Sequence, residues 1–173
     1  SAYTGALGTS VLKLFDLTAA STGLNEKQAR AAGVAYDKVV TYSASHASYY
    51  PGARNMTVKT LFDPASGRIL GAQIVGFDGV DKRMDVLAAA IRAGLTAEQL
   101  TELDLAYAPP YGSAKDPVNM AGYVIENVRA GLVEQHHWDV VAELPADGSV
   151  ILLDVRTPGE VRKQGLLRSD ALH

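Results

Sequence analysis

Tyrosines and one lysine carry the chemistry this sequence offers. Tyr107, Tyr111 and Lys115 fall within Tyr107-Ala-Pro-Pro-Tyr-Gly-Ser-Ala-Lys-Asp-Pro-Val-Asn119, so two phenols and an ammonium share one short stretch. Pro109 and Pro110 each fix φ and push the preceding residue toward extended backbone. Gly112 permits a turn that other residues would strain against. Asp116 reads as a helix N-cap, with Pro117 at the first helical position, where its missing N–H costs nothing. A stiff loop beside the positive end of a helix is how a binding or catalytic loop is built. A Pro-Pro segment also serves as a plain connection, and the residues alone leave both readings open.

A second aromatic loop, Ser45-His-Ala-Ser-Tyr-Tyr-Pro-Gly52, holds Tyr49 and Tyr50 against a Pro-Gly turn. His46 beside them belongs to the residue type that titrates near neutrality, but a lone loop histidine is more often a hydrogen-bonding surface group. His136 and His137 are adjacent without a third ligand at useful spacing, so no metal site is read. Lys82 and Arg83 would suit a phosphate, or they form a solvated face at the start of a helix, where positive charge is disfavoured. The solvated face is the preferred reading.

The elements that must position these groups follow from periodicity and punctuation. Ser10 to Thr18 is rich in strand-favouring residues and reads as one strand, with Val11, Leu12, Leu14, Phe15 and Leu17 available for burial. Asn25 caps a short helix that Gly33 ends. Tyr36 to Ser43 reads as a second strand. Met56–Phe62 and Arg68–Gly76 read as a hairpin turned by Asp63-Pro-Ala-Ser-Gly67, with Gly71 and Gly76 marking a bulge or a close backbone approach. In Val80–Leu95 the residues Val80, Met84, Leu87, Ala88, Ile91 and Leu95 share one helical face, closed by Gly94. Thr96 caps a short helix after it. Past the Tyr107 loop, Val118, Ala121, Ile125, Val128 and Leu132 mark the buried stripe of the last helix of this part. Residues 1–134 are therefore expected to be α+β, with four strands and four helices.

The character changes after Glu134. Trp138–Leu144 reads as a short helix. Val150-Ile-Leu-Leu-Asp-Val155 is a continuous apolar run, as expected of a strand buried on both faces of a parallel sheet, and Thr157-Pro158 starts a helix. One strand cannot make a parallel sheet, so residues 135–173 read as the opening of a separate α/β unit. The chain starts at Ser1 without Met and stops at Ser169-Asp-Ala-Leu-His173, and is read as a piece of something longer.

Composition narrows the function classes. With 47% hydrophobic and 20% charged residues over 173 positions, a sizeable core can form. A net charge of −3 with interspersed signs argues against a nucleic-acid surface. No apolar run approaches the ~18 residues needed to span a bilayer, and no secretory leader is seen. The default compartment is cytoplasmic. Cysteine is absent, which excludes disulfides, thiolate metal sites and thiol nucleophiles from this segment.

Three segments together resemble one family. The Ser45–Gly52 loop, Gly79-Val-Asp-Lys-Arg-Met-Asp-Val86 and the stretch from Tyr107 to Met120 are similar to the C-terminal dimerisation domain of CoA-disulfide reductases, in the pyridine nucleotide-disulfide oxidoreductase class. The hairpin ending Ser66-Gly-Arg-Ile-Leu-Gly-Ala72 resembles that domain across the wider class. The resemblance runs from about Ser1 to Glu134. Val150-Ile-Leu-Leu-Asp-Val-Arg-Thr-Pro-Gly-Glu160 resembles the start of a rhodanese domain, a fusion typical of the persulfide-reductase branch.

The resemblance implies an antiparallel sheet with helices packed on it, followed by an incomplete α/β rhodanese-like segment. It implies a homodimer in which FAD, NAD(P)H and coenzyme A serve a full-length enzyme acting on CoA disulfide or CoA persulfide. The family's redox-active cysteine is not in this sequence, so the piece alone is expected to be inactive and to bind none of the cofactors. Residue by residue, the family's functional tyrosines fall on Tyr49 and Tyr107 and its lysine on Lys115, reaching into the partner subunit's active site. Ala108 and Pro109 are the positions for a flavin contact in trans. A phenol with pKa ~10 is a poor acid–base group at neutral pH, and a nearby Lys⁺ would favour its ionised form. Tyr107 is thus expected to stabilise or protonate a leaving sulfur, with Lys115 tuning it and Tyr49 sharing the sulfur site. The competing reading is a non-catalytic dimerisation scaffold joined to a sulfur-carrier domain. Tyr50 and Tyr111 read as interface packing.

Overall fold

Local backbone chemistry sets most element ends. In the computed structural model, which describes residues 5–166, 168 and 171–172, the chain divides into two compact units, residues 1–134 and 135–173. Of the terminal residues named above, Ser1, Ser169, Asp170 and His173 lie outside the described set.

The first unit is one five-stranded antiparallel sheet. Its strands are β1 (Ser10–Leu14), β2 (Leu17–Gly23), β3 (Asp37–Ala44), β4 (Asn55–Phe62) and β5 (Ile69–Gly76), in the order β1-β2-β5-β4-β3. The helices are α1 (Glu26–Ala31), α2 (Val80–Ala93), α3 (Ala97–Thr101) and α4 (Pro117–Arg129). α1 and α3 begin with capping boxes, Asn25 with Gln28 and Thr96 with Gln99, in which side chain and backbone satisfy each other's free groups. In α2, Gly94 at φ 74° takes the left-handed C-cap that the sequence signalled.

The core lies between one sheet face and the helices α2, α3 and α4. Val39, Met56, Val58, Phe62 and Ile74 from the strands meet Met84, Leu87, Leu100, Val118 and Ile125 from the helices. The expected hairpin of β4 and β5 is present, and Asp63 Oδ1 accepts from the N–H groups of Ala65 and Ser66 to shape its turn. Gly71 is the close approach read from the sequence: a Cβ there would overlap the backbone of Leu24. α1 lies against the opposite face, where Lys38 and Lys59 alternate with the inward-facing Val39 and Val58 and reach Glu26.

Five expectations are corrected. Ser10–Thr18 is not one strand but the hairpin of β1 and β2, pairing Leu14 with Leu17 around Phe15-Asp16. Phe15 occupies φ 53°, the conformation such a two-residue turn demands. No Gly or Asn announces it, because pairing of β2 with β5 imposes it. Val11, Leu12, Leu14, Phe15 and Leu17 are consequently exposed rather than buried: β1 is an edge strand whose side chains alternate between two faces, and every residue of it is exposed. The hairpin also makes the strand count five instead of four. Leu132 falls beyond the end of α4 and is exposed, outside the buried stripe of Val118, Ala121 and Ile125.

The second unit carries α5 (Trp138–Val141) and α6 (Pro158–Gln164), the latter opened by a capping box between Thr157 and Glu160. The expected strand at Val150–Val155 is the fifth correction. Among the described residues that run makes a single parallel bridge, Leu153 to Leu172, and leaves Ile151, Leu153 and Val155 exposed. A strand needs neighbours for its backbone N–H and C=O groups, and one bridge does not supply them. No helix of the described residues is long and apolar enough to cross a membrane.

Candidate functional site

Two loops carry the candidate residues. The first, residues 45–54, leaves the end of β3 and returns into β4. It turns through Tyr50 N–H to Ala47 O at 2.9 Å and is closed by Ser45 N–H to Arg54 O at 2.9 Å. The second, residues 102–116, joins α3 to α4. Its start is tied to α4 by Asn119, whose Nδ2 donates to the carbonyls of Leu100 and Leu103 at 2.9 and 3.1 Å. Its middle is the Pro109–Tyr111 turn, in which the Ala108 carbonyl accepts from the N–H groups of Tyr111 and Gly112 at 2.8 and 3.1 Å. Its end is Asp116, which caps α4 through Val118 N–H at 3.1 Å and Asn119.

The fold brings Tyr49 and Tyr107 together from positions 58 apart in sequence, with their hydroxyls 3.2 Å from each other. Both remain open to solvent, 75% and 49% exposed, so the phenol pair stands on the surface instead of being consumed by packing. The hydrogen bond from Tyr49 pushes the Tyr107 phenol above its ordinary value, with partial desolvation adding to the effect.

Lys115 lies near an aromatic ring of its own unit. Its ammonium sits 5.1 Å from the ring centre of Tyr123, a cation–π arrangement on α4. The phenol of Tyr107 is accordingly held protonated by its neighbouring phenol, where a lysine-favoured ionised form was expected. Tyr111 and Tyr50 are exposed, and Tyr50 meets the His46 ring edge-on with centroids 5.8 Å apart. Ala108 and Pro109 are half-buried. Beside them opens an apolar cleft of about 540 Å³ bordered by Val86, Leu105, Tyr107, Ala108 and Tyr111.

The sequence reading missed the residue that joins the two loops. Arg83, read as part of a solvated face, is 1% exposed, and this corrects that reading. Its Nη2 donates to Ser45 O at 2.8 Å and to Asp116 Oδ2 at 2.9 Å, its Nε to Asp116 Oδ2 at 3.1 Å, and its Nη1 to Gly79 O at 3.2 Å. One planar guanidinium therefore fastens the start of the Tyr49 loop, the start of α2 and the end of the Tyr107 loop. A signal did exist: an arginine in the first turn of a helix works against the dipole and needs a reason to be there. Lys82 beside it is half-buried and reaches the carbonyl of Tyr111 at 3.3 Å.

Comparison with known proteins follows the same segments. The sequence pattern described as "pyridine nucleotide-disulphide oxidoreductase, dimerisation domain" matches residues 9–117. Coenzyme A disulfide reductase of Staphylococcus haemolyticus (strain JCSC1435) is 46% identical over 121 residues, covering 70% of this chain and 27% of that protein. The protein of the same name from Staphylococcus aureus (strain bovine RF122 / ET3-1) is 41% identical over 121 residues, with the same coverage of 70% and 27%. Among solved structures, reduced Bacillus anthracis CoADR-RHD matches at TM-score 0.89 and 50% identity, over 94% of this chain and 29% of that one. A NAD-dependent persulfide reductase from A. fulgidus matches at TM-score 0.86 and 40% identity, over 99% of this chain and 30% of that one. The chain thus spans little more than a quarter of the length of the curated relatives it matches. With the antiparallel sheet and its helices arranged as in those structures, the chain belongs to the family of pyridine nucleotide-disulphide oxidoreductase dimerisation domains.

Proposed function

We propose that this chain is the dimerisation part of an FAD- and NAD(P)H-dependent reductase of CoA disulfide or CoA persulfide, and that it lends Tyr49, Tyr107 and Lys115 to the active site of a partner subunit. The observation that carries the reading is the solvent-facing phenol pair, two hydroxyls 3.2 Å apart on side chains 75% and 49% exposed. Reducing a disulfide takes two electrons and two protons and releases two thiols. The electrons would come from the nicotinamide through the flavin, whose binding domains and redox cysteine belong to the rest of such an enzyme.

This chain's residues supply the proton side. A phenol held protonated at neutral pH donates a hydrogen bond to a departing thiolate, which spreads the sulfur's charge in the transition state. Tyr49, hydrogen-bonded to Tyr107, would orient that donor and share the sulfur. Lys115, held on Tyr123, would add positive potential for an anionic substrate without ionising Tyr107. The half-buried ledge of Ala108 and Pro109, beside the apolar cleft, fits the edge of a flat ring and is our candidate for the flavin contact in trans. The uncovered apolar side chains of β1 and Phe15 supply surface for a homodimer. We read residues 135–173 as the opening of a rhodanese domain, whose exposed Ile151, Leu153 and Val155 call for further strands.

Tyr107→Phe in the full-length enzyme tests the assignment. Turnover with CoA disulfide or persulfide is expected to fall about 10²-fold or more, with the flavin spectrum and dimer mass unchanged. Unchanged turnover would remove the catalytic role and favour a non-catalytic dimerisation scaffold.

A further inference from the structure

The two phenols are half-exposed or more, so side-chain packing alone does not fix their separation. What sets it is the placement of two loop backbones. Ala47 N–H donates to Gly112 O at 2.8 Å, a direct bond from one loop to the other. Beneath it the Arg83 guanidinium holds Ser45 O on one side and the Asp116 carboxylate on the other. Ser45 lies four residues before Tyr49, and Asp116 ends the loop that begins just before Tyr107. Gly79 completes the arrangement: it stands at φ 67° with its carbonyl on Nη1, and a Cβ there would overlap that nitrogen.

We propose that Arg83 is a positioning residue for the Tyr49–Tyr107 pair, its buried guanidinium fixing the two loops so that the phenols stay within hydrogen-bond distance. The proposal rests on the functional reading above for its catalytic consequence, but not for its geometry. Lysine at this position retains the charge and reaches one partner. As a compact ammonium it cannot span Ser45 O, Gly79 O and both carboxylate oxygens, which the planar fork does. The Arg83–Asp116 pair is 2–4% exposed at its side chains, so water does not replace a lost contact.

The test has two arms. In the 173-residue chain labelled with ¹³C at tyrosine Cζ, Tyr49→Phe should lower the Tyr107 titration, because the Tyr49 hydroxyl is what raises it. Arg83→Lys should lower it equally, and should add nothing in the Tyr49→Phe background, since no pair is left to position. Asp116→Asn keeps an amide oxygen for Val118 N–H while removing the ionic partner, and should act like Arg83→Lys if the lysine variant does not fold. A Tyr107 titration unmoved in both variants overturns the proposal. So does a shift of all eight tyrosines together, the mark of a merely structural arginine.

In the full-length reductase, Arg83→Lys should lower kcat by about 10²-fold, the cost of roughly 1 Å of misplacement, with KM little changed. If Tyr107 shifts in the labelled chain while kcat holds, the positioning role stands and the catalytic reading of the tyrosines falls.

Discussion

Two ionic clusters of the first unit join its elements, and they are built in opposite ways. Arg83 and Asp116 form one forked pair, 2–4% exposed at its side chains and set in the wall of the apolar cleft, between the two tyrosine loops. Glu26 sits at the start of α1 with Lys38, Lys59 and Arg30 around its carboxylate and the Tyr36 hydroxyl at 3.2 Å, at the rim of the opposite sheet face. Both join elements distant in sequence. The first uses a single planar group with fixed directions, the second uses mainly the flexible, half-buried ammonium groups of Lys38 and Lys59, with only Arg30 well exposed. The difference teaches which cluster determines position. A forked, desolvated pair fixes geometry because any displacement leaves a charge without a partner, whereas a rim cluster of lysines can rearrange and remain satisfied.

Removing one partner should expose that difference most strongly. Asp116→Ala leaves the Arg83 guanidinium buried and uncompensated and also takes the cap from α4. It is expected to destabilise the first unit by about 3–5 kcal/mol, read from denaturant unfolding. A loss near that of a surface pair would show that the loops relax to admit water, and would erase the contrast.

Acid should separate the clusters next. Desolvation works against ionisation of Glu26, but the hydrogen bonds and charges of Lys59 and Lys38 outweigh it and lower its pKa from 4.5 to about 2. A carboxylate depressed in the folded state contributes stability that is fully present above pH 4.5 and is lost as pH falls toward about 2. Glu26→Gln should therefore cost up to about 3 kcal/mol at pH 7, the linkage scale of such a shift in a cluster only 15–31% exposed. It should also flatten the decline of stability across that acid window, so that wild type and variant converge near its lower end. Parallel declines would detach Glu26 from the acid limb.

Salt gives the smallest effect. At 1 M NaCl, where screening acts over about 3 Å, the gap between wild type and Glu26→Gln in thermal midpoint should narrow. The gap between wild type and Asp116→Ala should stay, because ions do not reach the buried pair.

The same contrast divides what could be read from the chain in advance. Asn25, Thr96, Asp116 and Thr157 each cap a helix, as Ser/Thr/Asn/Asp followed three residues later by Gln, Asn or Glu implies. The β4–β5 hairpin, the Gly71 close approach and the stripe on α2 were legible for the same reason: each signal and its effect lie within a few residues. The Phe15-Asp16 turn was not, because Phe15 is a poor fit to the positive φ it adopts, and β2 is held beyond the turn by pairings some sixty residues away, such as Ala19 with Val75.

For the site, residue types alone marked both loops as stiff, aromatic and suited to binding, and the family resemblance singled out Tyr49, Tyr107 and Lys115. Which of those groups meet was decided by tertiary structure. Tyr49 met Tyr107, and Lys115 met Tyr123. Arg83 turned from an apparent surface charge into the buried joint between the loops, because its partners lie 33 and 38 residues away at Asp116 and Ser45. Sequence determines local backbone preference, since that energy is spent between neighbours. Whether a charge is buried, and whose hydroxyl stands opposite a phenol, depends on groups that only the folded chain brings within a few ångströms.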